Sequence, residues 1–304
     1  MGNSESILNN NNSHEKSFYN TKYNWVPSYP LIEFEQITLD NLNKLISKYE
    51  DNLSNYIDLR VNCPPVLDVG LIPIHPIATV CSMLNYLLKK NKLPIFPPSR
   101  LFIYHNCAYF PEIKSILSYD VIFRSIIKYG FCSEIDFEYT LDNLNNSPSN
   151  INYKVAEAFK FLEIYRIDNN INLLKIMLQN DMPLIIGIAL YYDLKKIVDK
   201  LWLPDFKIDK RVGGITGLIV GYVEDREVFI LQLSYGKNFG LSGYVSIPYE
   251  YVLNKLLVPE IYYIDLKKNR IEGFITQRRE VVSLQADIRQ KPNEKYANVQ
   301  TLFS

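Results

Sequence analysis

A chain of 304 residues with 47% hydrophobic side chains is large enough for one big domain or two lobes sharing a cleft, and can fold without metal or disulfides. Its 33 basic and 33 acidic residues cancel, so no overall field recruits nucleic acid or an acidic membrane surface. No run reaches the roughly 18 consecutive apolar residues of a membrane span, so membrane contact would have to come through a lipid or a partner.

The amino terminus, MGNSESILNNNNSHEK, has neither the basic nor the apolar region of a secretory signal, which keeps the chain in the cytosol with Cys63, Cys81, Cys107 and Cys132 reduced. Met-Gly-Asn-Ser-Glu-Ser fits the pattern for myristate on Gly2. The same residues also read as a flexible Asn-rich leader over 1–22 that carries Gly and Ser at those places by chance. Ordered structure is expected from YNWVPSYP (Tyr23 to Pro30). Thr38 to Glu50 reads as a short amphipathic helix with Leu42, Leu45, Ile46 and Tyr49 on one face.

The stretch from Asp58 to Asn91 is the one around which the rest of the chain is arranged. From Pro76 onward Ile77, Val80, Cys81, Leu84, Leu87 and Leu88 recur at helical spacing, the stripe of a helix buried along one face. Pro76 suits the first turn, where a missing N–H costs nothing. His75 then sits at the cap, beside the free N–H groups and the positive end of the helix dipole. Cys81 lies about 600° of rotation further on, at about 100° per residue, which puts it on the apolar stripe and away from the cap.

Further on, Val121, Ile122, Ser125, Ile126 and Tyr129 mark the face of another helix. Gly130 fits a left-handed residue at that helix's end, with Cys132 in the turn. Leu141 to Asn152 reads as a polar loop, succeeded by helices around Lys154 to Leu162 and Asn172 to Gln179. PLIIGIALY, GLIVGYV, VFILQLS, GYVSIP and IYYIDL then read as an antiparallel sheet or barrel. Helices first and strands second predict an α+β chain in two lobes. The tail over 276–304 is polar, carries Arg278 and Arg279, and reads as a solvated or docking arm with a short helix near Val281 to Ile288.

Several separated runs resemble the papain-like cysteine peptidases, especially a branch seen in bacteria and large DNA viruses. They are Asp58-Leu59-Arg60, Cys63-Pro64-Pro65-Val66, Asp68, Gly70, the Pro98 to Tyr104 run, Tyr129-Gly130, Gly213-Gly214, Gly221-Tyr222, Ser234, Gly236 and Gly243-Tyr244. The resemblance spans about Tyr23 to Asp265. It implies a papain-like domain over 23–275, with a helical lobe over about 57–165 and a β lobe over about 166–275. It also implies where the machinery would stand. The nucleophilic Cys falls on His75, the oxyanion Gln on Val69, the catalytic His on Ile215 and its orienting Asn on Leu233.

All four positions differ from the family, so the resemblance implies a catalytically inactive homologue. Papain-type chemistry needs a thiolate, an imidazole, an amide holding the ring and an oxyanion donor. Loss of any one costs orders of magnitude. The other histidines are His14 and His105, and none occurs after residue 105. His75 could act as a neutral base or metal ligand. No second His, Cys or carboxylate stands at ligand spacing with it, so a cleft-lining role is expected, with no metal and no cofactor. Cys81, Cys107 and His105 read as packing groups. The competing readings are an active hydrolase with a displaced nucleophile, Cys81 or Cys107, and a His75-centred activity of unknown type.

The Asn-, Ile-, Lys- and Tyr-rich composition points to an AT-rich genome and, with the Gly2 pattern, to a large DNA virus of eukaryotes. The expectation is a binding or assembly component with a protein partner and no nucleic acid. Its place would be the host cytoplasm, the cytoplasmic face of a membrane through the Gly2 myristate, or the virion.

Overall fold

The computed structural model describes residues 25–28, 33–47, 52–107, 117–160, 162–191 and 211–266. The expectations for Gly2, for the leader over 1–22 and for the tail over 276–304 fall outside those residues. In chain order the elements are β1 (Glu35–Ile37), β2 (Tyr56–Asp58), α1 (His75–Lys90), α2 (Arg100–Cys107), α3 (Tyr119–Tyr129) and α4 (Asn150–Glu157). Then come β3 (Leu162–Ile167), α5 (Ile171–Gln179), β4 (Leu184–Leu190), β5 (Gly213–Val223), β6 (Val228–Gln232), β7 (Tyr244–Pro248), α6 (Tyr249–Leu253) and β8 (Glu260–Leu266).

α1 is the centre of the molecule. Every residue in it except Asn85, Lys89 and Lys90 is buried, so its sequence stripe understates its burial. The reason is its position: β4, β5 and β8 pack on it from one side and α2 and α3 from the other. Ile74 stands at the N-cap, His75 is the first helical residue and Pro76 lies in the first turn. At the other end Lys89 and Lys90 complement the dipole. There the Asn91 side chain donates to the Leu87 carbonyl at 2.9 Å.

The sheet runs in the order β1-β3-β8-β4-β5-β6-β7, with β2 pairing β5 beside this path. β1 is parallel to β3, whereas the other pairs are antiparallel. The expected antiparallel sheet or barrel is therefore corrected to a mixed sheet whose described strands form an open path. Two of those strands precede the helices, so the order is not helices first and strands second. β1 makes the sheet mixed, and β1 and β2 together change the order: strands of three residues are too short to show alternation in sequence. The expected lobe boundary at 165/166 falls within β3.

Three local expectations also change. The helix expected from Thr38 to Glu50 is a 3-10 turn over Leu39–Lys44, with Leu42 buried. Asn41 interrupts it: its backbone is non-helical, its Oδ1 accepts from Thr38 N at 2.7 Å and its Nδ2 donates to the Gln36 carbonyl at 2.8 Å. Such local side-chain bonds compete with a regular helix. The loop expected up to Asn152 ends earlier, because Ser149 and Asn152 form a reciprocal capping box that starts α4 at Asn150. The end of the expected 154–162 helix is replaced by the start of β3, whose Leu162, Ile164 and Ile167 are buried.

Gly130 has φ +74° and ψ −154°, positive as expected but outside the left-handed helical region. A Cβ there would lie 1.8 Å from the Ala156 carbonyl oxygen, so glycine is required by the approach of α4.

Candidate functional site

His75 opens α1 with 6% of its surface exposed. Its Nδ1 lies 2.9 Å from the Ser234 Oγ, in the turn after β6. Its ring packs on Tyr235 with centroids 4.3 Å apart and planes tilted by 37°, and Tyr235 in turn packs on Phe239 at 5.1 Å. One helical turn along, the Thr79 hydroxyl donates to the His75 carbonyl at 3.1 Å and lies 3.0 Å from the Thr216 Oγ1 on β5.

Val69 meets the same turn from the other side. Its N–H donates to the Ser234 carbonyl at 3.2 Å, and its carbonyl accepts from the Tyr139 hydroxyl at 2.7 Å. Ser234 thus joins two aligned positions at once, Val69 through its backbone and His75 through its side chain. Gly236 N donates to the Leu67 carbonyl at 3.0 Å, and Asp68 Oδ1 accepts from Gly70 N at 2.8 Å.

Arg100 braces this segment. Its guanidinium lies 3.5 Å from the centre of the Tyr139 ring and donates to the Asp68 carbonyl at 2.9 Å. It also grips Glu134 with a fork of two bonds, at 2.9 and 2.5 Å. The planar, charge-assisted fork fixes geometry as well as supplying energy.

Ile215 is buried on β5, where it pairs with Ile188 of β4. Leu233 is also buried, with its N–H donating to the Gly243 carbonyl at 3.0 Å. In both places the next residue along the chain makes the polar contact with α1: Thr216 through Thr79, and Ser234 through His75. Thr79, Tyr139, Thr216, Ser234 and Tyr235 were not expected as site residues. Thr79 had a signal in its i+4 relation to His75. The others had none, because what they touch lies far away in the chain.

The thiols lie elsewhere. Cys81, Cys107 and Cys132 are buried and Cys63 is partly so, all in the free form. Burial pushes the Cys63 and Cys107 thiols up to about 12, and pushes Cys81 and Cys132 higher still. A thiol so raised is protonated at neutral pH and a poor nucleophile. Among the described residues no group of three or more His, Cys, Asp or Glu could hold a metal ion, and no helix is long and apolar enough to cross a membrane.

The architecture superposes on xylellain, a cysteine protease from Xylella fastidiosa, with a TM-score of 0.69 over 81% of this chain and 97% of that one, at 24% identity. The fold is papain-like. A digestive procathepsin L2 proteinase from the larval midgut of Tenebrio molitor shares the papain-like architecture at a TM-score of 0.63 and 15% identity, over 81% of this chain and 79% of that one. In sequence the chain is 28% identical over 191 residues to an uncharacterized peptidase C1-like protein of Acanthamoeba polyphaga mimivirus. That match takes in 58% of this chain and spans 61% of the viral protein's length. No protein-family model matches the chain.

Proposed function

We propose that this chain is a catalytically inactive papain-like protein that acts by binding or assembly rather than by cleavage. The observation that carries this reading is His75: the residue aligned with the nucleophile is an imidazole, buried, bonded to Ser234 and packed on Tyr235. Two facts support it further. Ile215 and Leu233, aligned with the base and its orienting amide, are apolar and buried, and Val69 has no side-chain donor for an oxyanion. All four thiols are raised by burial, which leaves a displaced cysteine nucleophile without a means of activation.

In this reading residues 23–275 form the binding unit and a protein is the partner. Myristate on Gly2 would bring it to the cytoplasmic face of a host membrane or into a virion; the viral origin of the similar protein supports that setting. One myristoyl chain binds membranes only marginally, at a K of about 10⁴ M⁻¹, so a partner would share the anchoring. Intact mass of the chain made in a eukaryotic host tests the lipid, and an unacylated mass removes it from the proposal.

Peptide-library turnover together with labelling by a papain-directed epoxide tests the inactivity. The expected result is neither turnover nor labelled cysteine in the folded protein. His75→Cys alone should stay inactive, since its thiol lacks a base; Ile215→His, Leu233→Asn and Val69→Gln are needed as well. Wild-type turnover abolished by Cys81→Ala or Cys107→Ala would overturn the proposal in favour of a displaced-nucleophile hydrolase.

A further inference from the structure

Between α3 and α4 the chain carries exposed apolar side chains that the site around His75 does not use. Ile135, Leu141 and Ile151 are 67%, 58% and 42% exposed. They belong to backbone that is stitched together. The Asn152 amide donates to the Asp136 carbonyl at 3.0 Å, which brings the backbones of Ile151 and Ile135 near one another. The Asn143 amide donates to the Glu138 carbonyl at 3.1 Å, which holds the 3-10 turn over Asp142–Asn145, just after Leu141, against the same segment. Exposed apolar side chains gathered on fixed backbone, rather than scattered, mark an interaction surface.

The charge of this surface has one sign. No Lys or Arg occurs between Lys128 and Lys154, whereas Asp136, Glu138 and Asp142 lie among the apolar residues. Glu134 is already held by Arg100. An apolar segment that is also basic is therefore the complementary occupant. The chain itself has one. Residues 267–304 include eight basic and four acidic side chains, and Val281, Leu284 and Ile288 recur there at i, i+3 and i+7. Arg278 and Arg279 precede that stripe, and Arg289 and Lys291 follow it. Leu266 pairs in register with Leu162, five residues after the end of α4. Helix rise, extended linker and strand spacing thus put Ile151 within about 35 Å of Leu266, and residues 267 to 280 span up to about 46 Å when extended.

We propose that the surface formed by Ile135, Leu141 and Ile151 is the dock for this chain's own carboxy-terminal arm around Val281 to Ile288. The arm's apolar stripe covers the three exposed side chains, and its flanking arginines face Glu138 and Asp142, the amphipathic-helix mode of recognition. Apolar burial supplies the binding and the charges set the orientation. Tyr139, within the same segment, donates its hydroxyl to the Val69 carbonyl, so the docked arm lies against the residues that support Val69. The inference holds whether or not the chain cleaves peptides.

Amide exchange of the full-length chain tests the dock. At low salt the amides from Val281 to Ile288 should exchange more slowly than their intrinsic rates, equally at high and low protein concentration. Glu138→Lys with Asp142→Lys, both at exposed positions, should speed that exchange roughly tenfold. Adding Arg278→Glu with Arg279→Glu should restore the protection, while the β8 amides from Ile261 to Ile264 hold theirs throughout. If the charge-reversed variants do not fold, a salt series on the wild type serves instead: protection of the arm should fall by about 1 M sodium chloride, where screening acts within about 3 Å. An unprotected arm in the wild type, protection indifferent to charge reversal or to salt, or no rescue by the second pair would each overturn the proposal. So would protection lost on dilution, which would assign the surface to a second copy.

Discussion

Two segments reach the turn at Leu233 to Gly236 from opposite sides, and they differ in what they have kept. The Asp68 to Gly70 segment keeps the framework residues Asp68 and Gly70 on either side of the replaced Val69, and is braced by Arg100, Glu134 and Tyr139. The His75 end of α1 has an imidazole where the pattern has its thiol, and uses it as a packing and hydrogen-bonding group. The difference reflects what each side chain does for folding. Removing Arg100 would strand the Glu134 carboxylate and take a donor from the Asp68 carbonyl, whereas exchanging the nucleophile costs little once Ser234 and Tyr235 accommodate the ring.

The largest expected effect breaks the braced side. Arg100→Ala should lower stability by about 3–5 kcal/mol, the range for removing one partner of a buried pair, read as a shift of the urea midpoint at constant slope. Arg100→Lys should recover only part of that, because a single ammonium cannot reproduce the fork to Glu134. If alanine there costs no more than a surface substitution, the contrast between the two segments fails.

His75→Ala should cost less, about 1–3 kcal/mol, because it removes the hydrogen bond to Ser234 and the packing of the imidazole on Tyr235. It should leave peptide turnover at background. A stability effect equal to that of Arg100→Ala would mean that the two sides are braced alike.

A smaller effect is expected one turn further along α1. Thr79→Val should cost about 1 kcal/mol by leaving the Thr216 hydroxyl without this partner, and Thr79→Val with Thr216→Val should cost less than the sum of the two single changes. Additive losses would show that the 3.0 Å contact carries no coupling.

The smallest effect concerns Asp58, another framework residue, held at about 2 chiefly by its hydrogen bonds with the Arg60 side chain, whereas its ordinary value is 3.8. A depressed carboxyl stabilises the folded state above 3.8, and that contribution is lost as pH falls towards 2. Asp58→Asn should flatten the stability profile across that window. The effect is small because the pair is partly exposed and screened.

Much of the fold was legible in the sequence because its signals are local. The spacing of Ile77, Val80, Cys81, Leu84 and Leu88 marked α1, and the runs of β-branched and aromatic residues marked β4 to β8. β3 was missed because LEIYRI comes after a helical segment with only a short break, and β1 because three residues carry no period. Of the site, residue identities at 69, 75, 215 and 233 were readable, since an alignment needs only order and spacing.

The sequence by itself determined the α+β class, the central helix and the absence of a thiol at position 75. Tertiary structure alone decided that α1 is buried on both sides, that β1 runs parallel to β3, that His75 is bonded to Ser234, and that Ser28 rests on Glu260. The partners in those last two contacts are 159 and 232 residues apart in the chain. Periodicity acts over a few turns or strand residues, so no local pattern could specify which distant group each of these side chains would meet.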